Sequence, residues 1–163
     1  MGKSSGSIRG LAEAGTTYSE TPSQKIARVI DDIRRDGYSK VTPFAIGKIE
    51  SRMSSYAESN RIELPSKSIY MSHHSIAHAL RDSKAAKGLT VDDADLITFP
   101  SRRRTMDLYY DGKVFVYTDY KTKYVVNPSY ELRIDRSKKR KVAFVTAGKT
   151  DGTEFKMGKY IKI

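Results

Sequence analysis

The chain has 163 residues, close to the size of one common domain, with 38% hydrophobic and 30% charged residues, so it can bury a modest core beneath a heavily ionised surface but has no room for a large multidomain enzyme. No run of eighteen apolar residues occurs and the N-terminus MGKSSGSIRG lacks an apolar stretch, so neither a membrane span nor a secretory signal is expected and a cytoplasmic location is. The absence of cysteine removes disulfides, thiol nucleophiles and Cys-based zinc sites, which leaves oxygen and nitrogen side chains for any chemistry.

Thirty Lys and Arg against nineteen Asp and Glu give a net charge of +11, as expected of a chain that meets polyanions. Residues 1–68 carry 11 basic and 8 acidic groups, whereas 69–163 carry 19 and 11. Within the second part stand two basic runs, Arg102-Arg103-Arg104 and Lys138-Lys139-Arg140-Lys141, among eight tyrosines. Such runs are usually solvated loops. Their mixture with Tyr110, Tyr117 and Tyr124 suggests phosphate contacts combined with base stacking, although tyrosine is equally a good strand former.

In chain order, residues 1–20 are rich in Gly, Ser and Thr and read as a flexible arm. Thr21-Pro22 opens a helix whose Ile26, Val29, Ile30 and Ile33 recur at helical spacing to Gly37. Thr42-Pro43 predicts a second helix that turns Phe44, Ile46, Ile49, Met53 and Tyr56 inward and ends near Leu64-Pro65, making 21–66 a helical linker or docking segment. Ile69-Tyr70-Met71 is a short strand. Ser72 caps a helix from His73 to about Lys87, stopped by Gly88. A capping box with Asp at the reciprocal position lies in Thr90–Leu96 and opens a short helix that ends before Pro100. Met106–Tyr110 and Lys113–Thr118 flank Asp111-Gly112, a strong hairpin signal. Strands follow at Lys123–Asn127, Tyr130–Ile134 and Lys141–Ala147, and Glu154–Ile163 could add a last one. The expected class is α+β: N-terminal helices, then a helix-backed twisted antiparallel sheet over 67–163.

All three histidines fall in Ser72–Arg81. At helical spacing His74, His78 and Arg81 share a stripe, with His73 nearer Ile76 and Leu80. An i,i+4 histidine pair needs further ligands to hold zinc, and none is apparent, so no metal or cofactor is expected. Singly, each histidine is more often a surface or capping residue than a catalyst. As a cluster upstream of a basic sheet, they suit RNA cleavage without a metal, in which the 2′-hydroxyl attacks its own phosphorus and needs a base, an acid and cations. Arg81, Lys141 and Lys149 are candidate cations, and Thr118, Tyr124 or Thr146 candidate hydroxyls, Thr146 standing where an apolar strand runs into Gly148-Lys149. The acidic run Asp92-Asp93-Ala94-Asp95 is explained by a helix start. Gly148-Lys149-Thr150 shares its last residues with a P-loop but lacks the earlier glycine.

The order Ile69-Tyr70-Met71-Ser72, histidine helix, acidic short helix, hairpin Leu108–Tyr117, strand Lys123–Val126 and late Val142-Ala-Phe-Val-Thr resembles phage-associated members of the barnase/EndoU/colicin/RelE-like nuclease superfamily, over roughly residues 67–150. The resemblance implies metal-independent endoribonuclease activity in a phage or mobile-element setting, with His78 or His74 as the helix histidine and Thr146 as the late hydroxyl. In that reading His78 is the general base or acid, His74 its partner, and Arg81 and Lys149 are phosphate clamps. Arg102, Arg103, Arg104, Lys139, Lys141 and the tyrosines are expected to bind RNA, tRNA included, and an acidic immunity or antitoxin protein to mask the groove. The competing expectation is a non-catalytic basic module that holds nucleic acid or protein.

Overall fold

A computed structural model describes residues 19–81 and 88–163. The first helix, α1 (Pro22–Asp36), forms where its end signals are strongest: Gln24 N–H donates to Thr21 Oγ1 at 3.1 Å, the Thr21 N–H donates to Gln24 Oε1 at 2.9 Å, and Pro22 fills the first turn. Gly37 closes it at φ 83°, donating to the Ile33 carbonyl at 2.8 Å. Ile26, Val29 and Ile30 are buried on its inner face.

The next segment departs from expectation. Phe44–Lys48 is a strand, β1, and only Ser51–Ser59 is helical, as α2. Phe44 and Ile46 are buried while Ala45 between them is exposed, a period of two that fits a sheet edge, and Phe44 and Ala45 pair antiparallel with Met71 and Tyr70 of β2 (Ser68–Met71) before the register slips toward Gly47. The Thr42-Pro43 start signal is therefore overridden by tertiary pairing. Residues 21–66 are likewise not purely helical: they supply a strand to the sheet, and Ile26, Val29, Ile30, Phe44, Ile46 and Met53 join Ile69, Leu108, Phe144 and others in one core.

Ser72 caps α3 (His73–Ala79) by accepting from the Ser75 N–H at 3.3 Å. This helix is shorter than expected, and the remainder of the expected span, 82–87, lies outside the described residues. The next helix, α4 (Asp93–Arg102), starts at Asp92, whose N–H donates to Asp95 Oδ2 at 3.0 Å, so the acidic run serves the helix start. It continues two residues past Pro100, which has no N–H to donate back to the preceding turn. A 3₁₀ turn (Arg103–Thr105) leads to β3 (Asp107–Tyr110) and β4 (Phe115–Thr118). Asp111 Oδ1 accepts from the N–H groups of Lys113 and Val114, at 2.9 and 2.8 Å, and builds the expected hairpin.

Two expected strands are one. Thr122–Ile134 is a single strand, β5, carried across Pro128 by a bulge, and it pairs with β6 (Ser137–Lys149) through a turn in which Asp135 and Arg136 both have positive φ, 50° and 68°, the hand that suits a two-residue hairpin turn. The run Lys138–Lys141 is thus strand, not loop. The C-terminal segment forms a 3₁₀ turn (Thr153–Lys156) and only a two-residue β7 (Ile161–Lys162) instead of a full strand. The seven strands run β1-β2-β6-β5-β4-β3-β7, and the sheet is mixed rather than antiparallel because β2 and β6 are parallel. The helices cover one face. On the other, Tyr109, Val116 and Phe155 form a smaller cluster with Val114, Val125 and Tyr160. The molecule is an α+β protein.

Between β1 and the 3₁₀ turn the core contains a charge. Arg103, 1% exposed, pairs with Glu50 and donates to the Lys48 carbonyl at 2.9 Å, while the Tyr117 hydroxyl donates to Glu50 Oε1 at 2.6 Å. Gly47 has φ 154°, and a Cβ there would fall on the Arg103 guanidinium. Gly47→Ala is expected to destabilise the protein by about 2–4 kcal/mol, combining a disfavoured backbone with displacement of a buried ion pair, as read from urea unfolding. An unchanged midpoint would show that the guanidinium moves aside freely.

Candidate functional site

A cleft of about 630 Å³ lies where three elements converge: the loop Ser39–Pro43, the start of α3, and the arm formed by the distal halves of β5 and β6. The loop is fixed because Ser39, 3% exposed, donates through Oγ to Asp32 Oδ2 at 2.7 Å and accepts from the Val41 N–H at 3.3 Å. Beyond Tyr130 and Lys141 the two strands of the arm pair only with each other. At the bulge, which bends a strand, Asn127 Oδ1 accepts from the Ser129 N–H at 2.9 Å and Arg140 donates to the Ser129 carbonyl at 3.0 Å.

Into this cleft face His73 and His74, with ring centroids 3.9 Å apart. Burial, and secondly the charge of His74, hold His73 below the usual histidine range, so His73 is biased toward the neutral form. Lys40, Arg133, Arg136 and Lys138 supply positive charge around the rings and Glu131 and Asp135 part of the balance, Lys138 lying 3.6 Å from Glu131. Val41, Pro43, Leu132 and Tyr130 give the cleft apolar wall. A half-buried imidazole beside a second, exposed imidazole amid cationic side chains can give and take protons at a bound ligand's hydroxyls and offset anionic charge.

The sequence-derived candidates divide. His74 lies in the cleft. His78, one turn on, is half-buried and does not line the cleft, and Arg81 is exposed just past α3. Thr146 is opposite Val125 in the β5–β6 ladder, whereas the neighbouring pair Tyr124 and Ala147 belongs to the main core. Alternation therefore puts Thr146 on the face away from the helices, which corrects its expected place beside the histidines. The arginine run is also dismantled. Arg103 is the buried partner of Glu50. Arg102 donates to the Tyr124 hydroxyl at 2.8 Å and lies 3.6 Å from Asp95 and 3.5 Å from Asp119. Arg104 alone of the three is exposed.

Tyr117 and Tyr124 are fully buried around Phe99, with Tyr124 stacked on it at 4.3 Å, so neither offers a face to a base. Tyr110 is half-buried against Tyr56 and Phe115. Lys139 is exposed on the arm, the Lys141 ammonium lies 5.0 Å from the Tyr70 ring centre, and Lys149 is exposed at the far end of β6. Sequence reasoning missed His73, Lys40, Tyr130, Arg133, Arg136 and Lys138 as one site. The available signal was the apolar-polar alternation Tyr130–Ile134 running into Asp135-Arg136, a turn that needs no glycine.

Among the described residues no group of three or more His, Asp or Glu side chains is placed to hold a metal ion, and no helix is long and apolar enough to cross a membrane. The site defines an α+β protein with a histidine-bearing basic cleft. Comparison with models of known families, with curated proteins and with solved structures yields no match in any of the three.

The His73 shift has a measurable consequence. The unfolded imidazole takes its proton near pH 6.5, whereas the folded ring resists it, so between the two values the unfolded state binds more protons and stability falls as pH drops below about 6.5. Urea midpoints from pH 7.5 to pH 5 are expected to decline less steeply in His73→Asn than in the unaltered protein. Parallel curves would contradict the assignment.

Proposed function

We propose that the chain is a metal-independent endoribonuclease whose catalytic pair is His73 and His74. The observation that carries this reading is the pair itself: two imidazoles in one cleft, one biased neutral by burial and the other exposed, ringed by Lys40, Arg133, Arg136 and Lys138. Two imidazoles in different surroundings, one half-buried and one exposed, can divide the roles of base and acid that the reaction at one phosphorus requires. The order of elements over residues 67–150, which resembles the barnase/EndoU/colicin/RelE-like superfamily, supports the same reading and extends it to a nuclease fold of that type.

In the proposed reaction His73 takes the proton of the RNA 2′-hydroxyl as that oxygen forms its bond to phosphorus. The bond from phosphorus to the 5′ oxygen breaks, and His74 gives its proton to the departing oxygen. The products are a 2′,3′-cyclic phosphate and a 5′-hydroxyl. Lys40, Arg133, Arg136 and Lys138 offset the charge that builds on the phosphate oxygens. Within this proposal the substrate is RNA, tRNA included, the setting is the cytoplasm of a cell reached by a phage or mobile element, and an acidic immunity or antitoxin protein is the partner that would mask the cleft.

A second reading has its own observation. Lys139 and Arg140 are exposed on the arm outside the cleft lining, as befits a basic module that binds nucleic acid without cutting it. Incubating the pure protein with total RNA and tRNA, with and without EDTA, separates the two. Cyclic-phosphate ends are expected in both conditions. His73→Ala and His74→Ala are each expected to lower the rate by roughly 10²–10⁴-fold, while His78→Ala changes it by no more than a few-fold. Binding without cleavage would favour the second reading, and loss of activity in His78→Ala alone would move the catalytic centre one turn along α3.

A further inference from the structure

Next to the histidine cleft lies a second concavity of about 310 Å³, lined by Lys25, Arg28, Asp32, Lys40, Val41 and Thr42. Lys40, Val41 and Thr42 line both, so the two concavities adjoin along this short segment. The basic side chains along this line are Arg136, Arg133 and Lys138 on the arm, then Lys40 on the shared segment, then Lys25 and Arg28 on α1, which projects the latter two from one helix face by their i,i+3 spacing. Asp32, which lines this groove, and Glu20, which pairs with the groove's Arg28, already have partners. Asp32 accepts from Ser39 Oγ at 2.7 Å and from Arg35 at 2.8 Å, and Glu20 pairs with Arg28 through Nε at 3.0 Å and through Nη2. Lys25 packs its ammonium 5.6 Å from the centre of the Phe44 ring and keeps its charge at the groove.

We infer that the groove between α1 and the loop Ser39–Pro43 is an extended phosphate-binding subsite, in which Lys25, Arg28 and Lys40 hold the backbone of a single RNA strand where it leaves the histidine cleft. This rests on the reading of the cleft as an RNA site and adds a direction to it: the strand passes over Lys40 onto α1. A row of cations on a groove favours a polyanion that tracks along it over a compact ligand, because each successive phosphate releases its own counterions. Glu20 then acts as a stand-in for phosphate that Arg28 exchanges when the strand arrives, and both side chains are partly exposed, 37% and 48%, so their pairing is weak enough to yield.

The test uses 2′-O-methyl RNA, which has no 2′-hydroxyl to attack and stays intact, as a dinucleotide and as a dodecanucleotide. Their affinities are measured over a salt series for the unaltered protein, for Lys25→Gln/Arg28→Gln and for Arg136→Gln, with circular dichroism to check that each variant folds. The double variant is expected to bind the dodecanucleotide several-fold more weakly, with the slope of log affinity against log salt reduced by about 1.4 for two lost phosphate contacts, and to bind the dinucleotide as before. Arg136→Gln is expected to weaken both. An unchanged dodecanucleotide affinity and slope in the double variant, an equal loss for both ligands, or failure of the unaltered protein to bind the dodecanucleotide would each overturn the subsite. Binding is read without catalysis, so a protein that binds in this manner but never cleaves RNA would refute the nuclease reading and leave the track standing.

Discussion

One wall of the cleft depends on the guanidinium of Arg103 inside the protein. Its partner Glu50 sits at the joint between β1 and α2, its second acceptor is the Lys48 carbonyl at the end of β1, and Tyr117 donates to the same carboxylate from β4. Arg52 closes the ring from α2, donating to the Arg103 carbonyl at 3.1 Å and lying 5.6 Å from the centre of the Tyr117 ring. Taking either charge out of water alone would cost several kcal/mol, so the arrangement exists only when β1, the start of α2, the 3₁₀ turn and β4 are all in place. Burial and the neighbouring Glu50 carboxylate drive the Tyr117 hydroxyl far above its ordinary range, which keeps it a donor at any physiological pH. By fixing where β1 ends, the network also fixes where β1 begins, and hence the loop Ser39–Pro43 that makes one wall of the cleft.

This network explains why charge counting located the wrong cations. A run of three arginines reads as a patch, yet its members meet three different environments, because successive residues at the end of a helix point in different directions. Arg103 goes inward, Arg102 is held by Asp95, Asp119 and Tyr124 at its own helix and sheet, and Arg104 faces solvent. The second run keeps its charge available for the opposite reason. It lies in a ribbon with no third strand, so the side chains on both of its faces remain largely in water. The difference depends on tertiary pairing and cannot be read from the number of consecutive basic residues.

The same distinction runs through the fold. Elements governed by local chemistry were legible: α1 from Thr21, Gln24 and Gly37, the start of α3 from Ser72, and the β3–β4 hairpin from Asp111-Gly112. The strand β1 was not, because Thr42-Pro43 is a sound helix start and the decisive facts, Arg103 against Gly47 and the edge of β2, lie far away in sequence. The continuity of β5 was hidden by Asn127-Pro128-Ser129, which reads as a turn but is absorbed as a bulge. For the site, the helical stripe grouped His74 with His78 and Arg81 and set His73 apart, whereas His73 and His74 line one cleft and His78 does not. The arm, which could not be placed without the bulge, selects the first turn of α3 and with it His73 and His74.

The arm also has an energetic peculiarity that bears on its role. A two-stranded ribbon is marginally stable on its own, and this one turns through two non-glycine residues with positive φ, each carrying a backbone cost. Between Tyr130 and Lys141 it bears six basic and two acidic residues, so its own charges repel one another as well. What opposes these terms is packing of the arm against the cleft, through Leu132, which is 5% exposed, and the Lys141 ammonium over Tyr70. A polyanion in the cleft would remove the repulsion while adding contacts to Arg133, Arg136 and Lys138. Any ligand that binds the ordered arm better than the loosened one stabilises it in proportion to that preference. Occupancy of the cleft by a polyanion and order of the arm would on this account be one equilibrium, and the cations that make the arm costly to fold are the ones an anionic strand would meet.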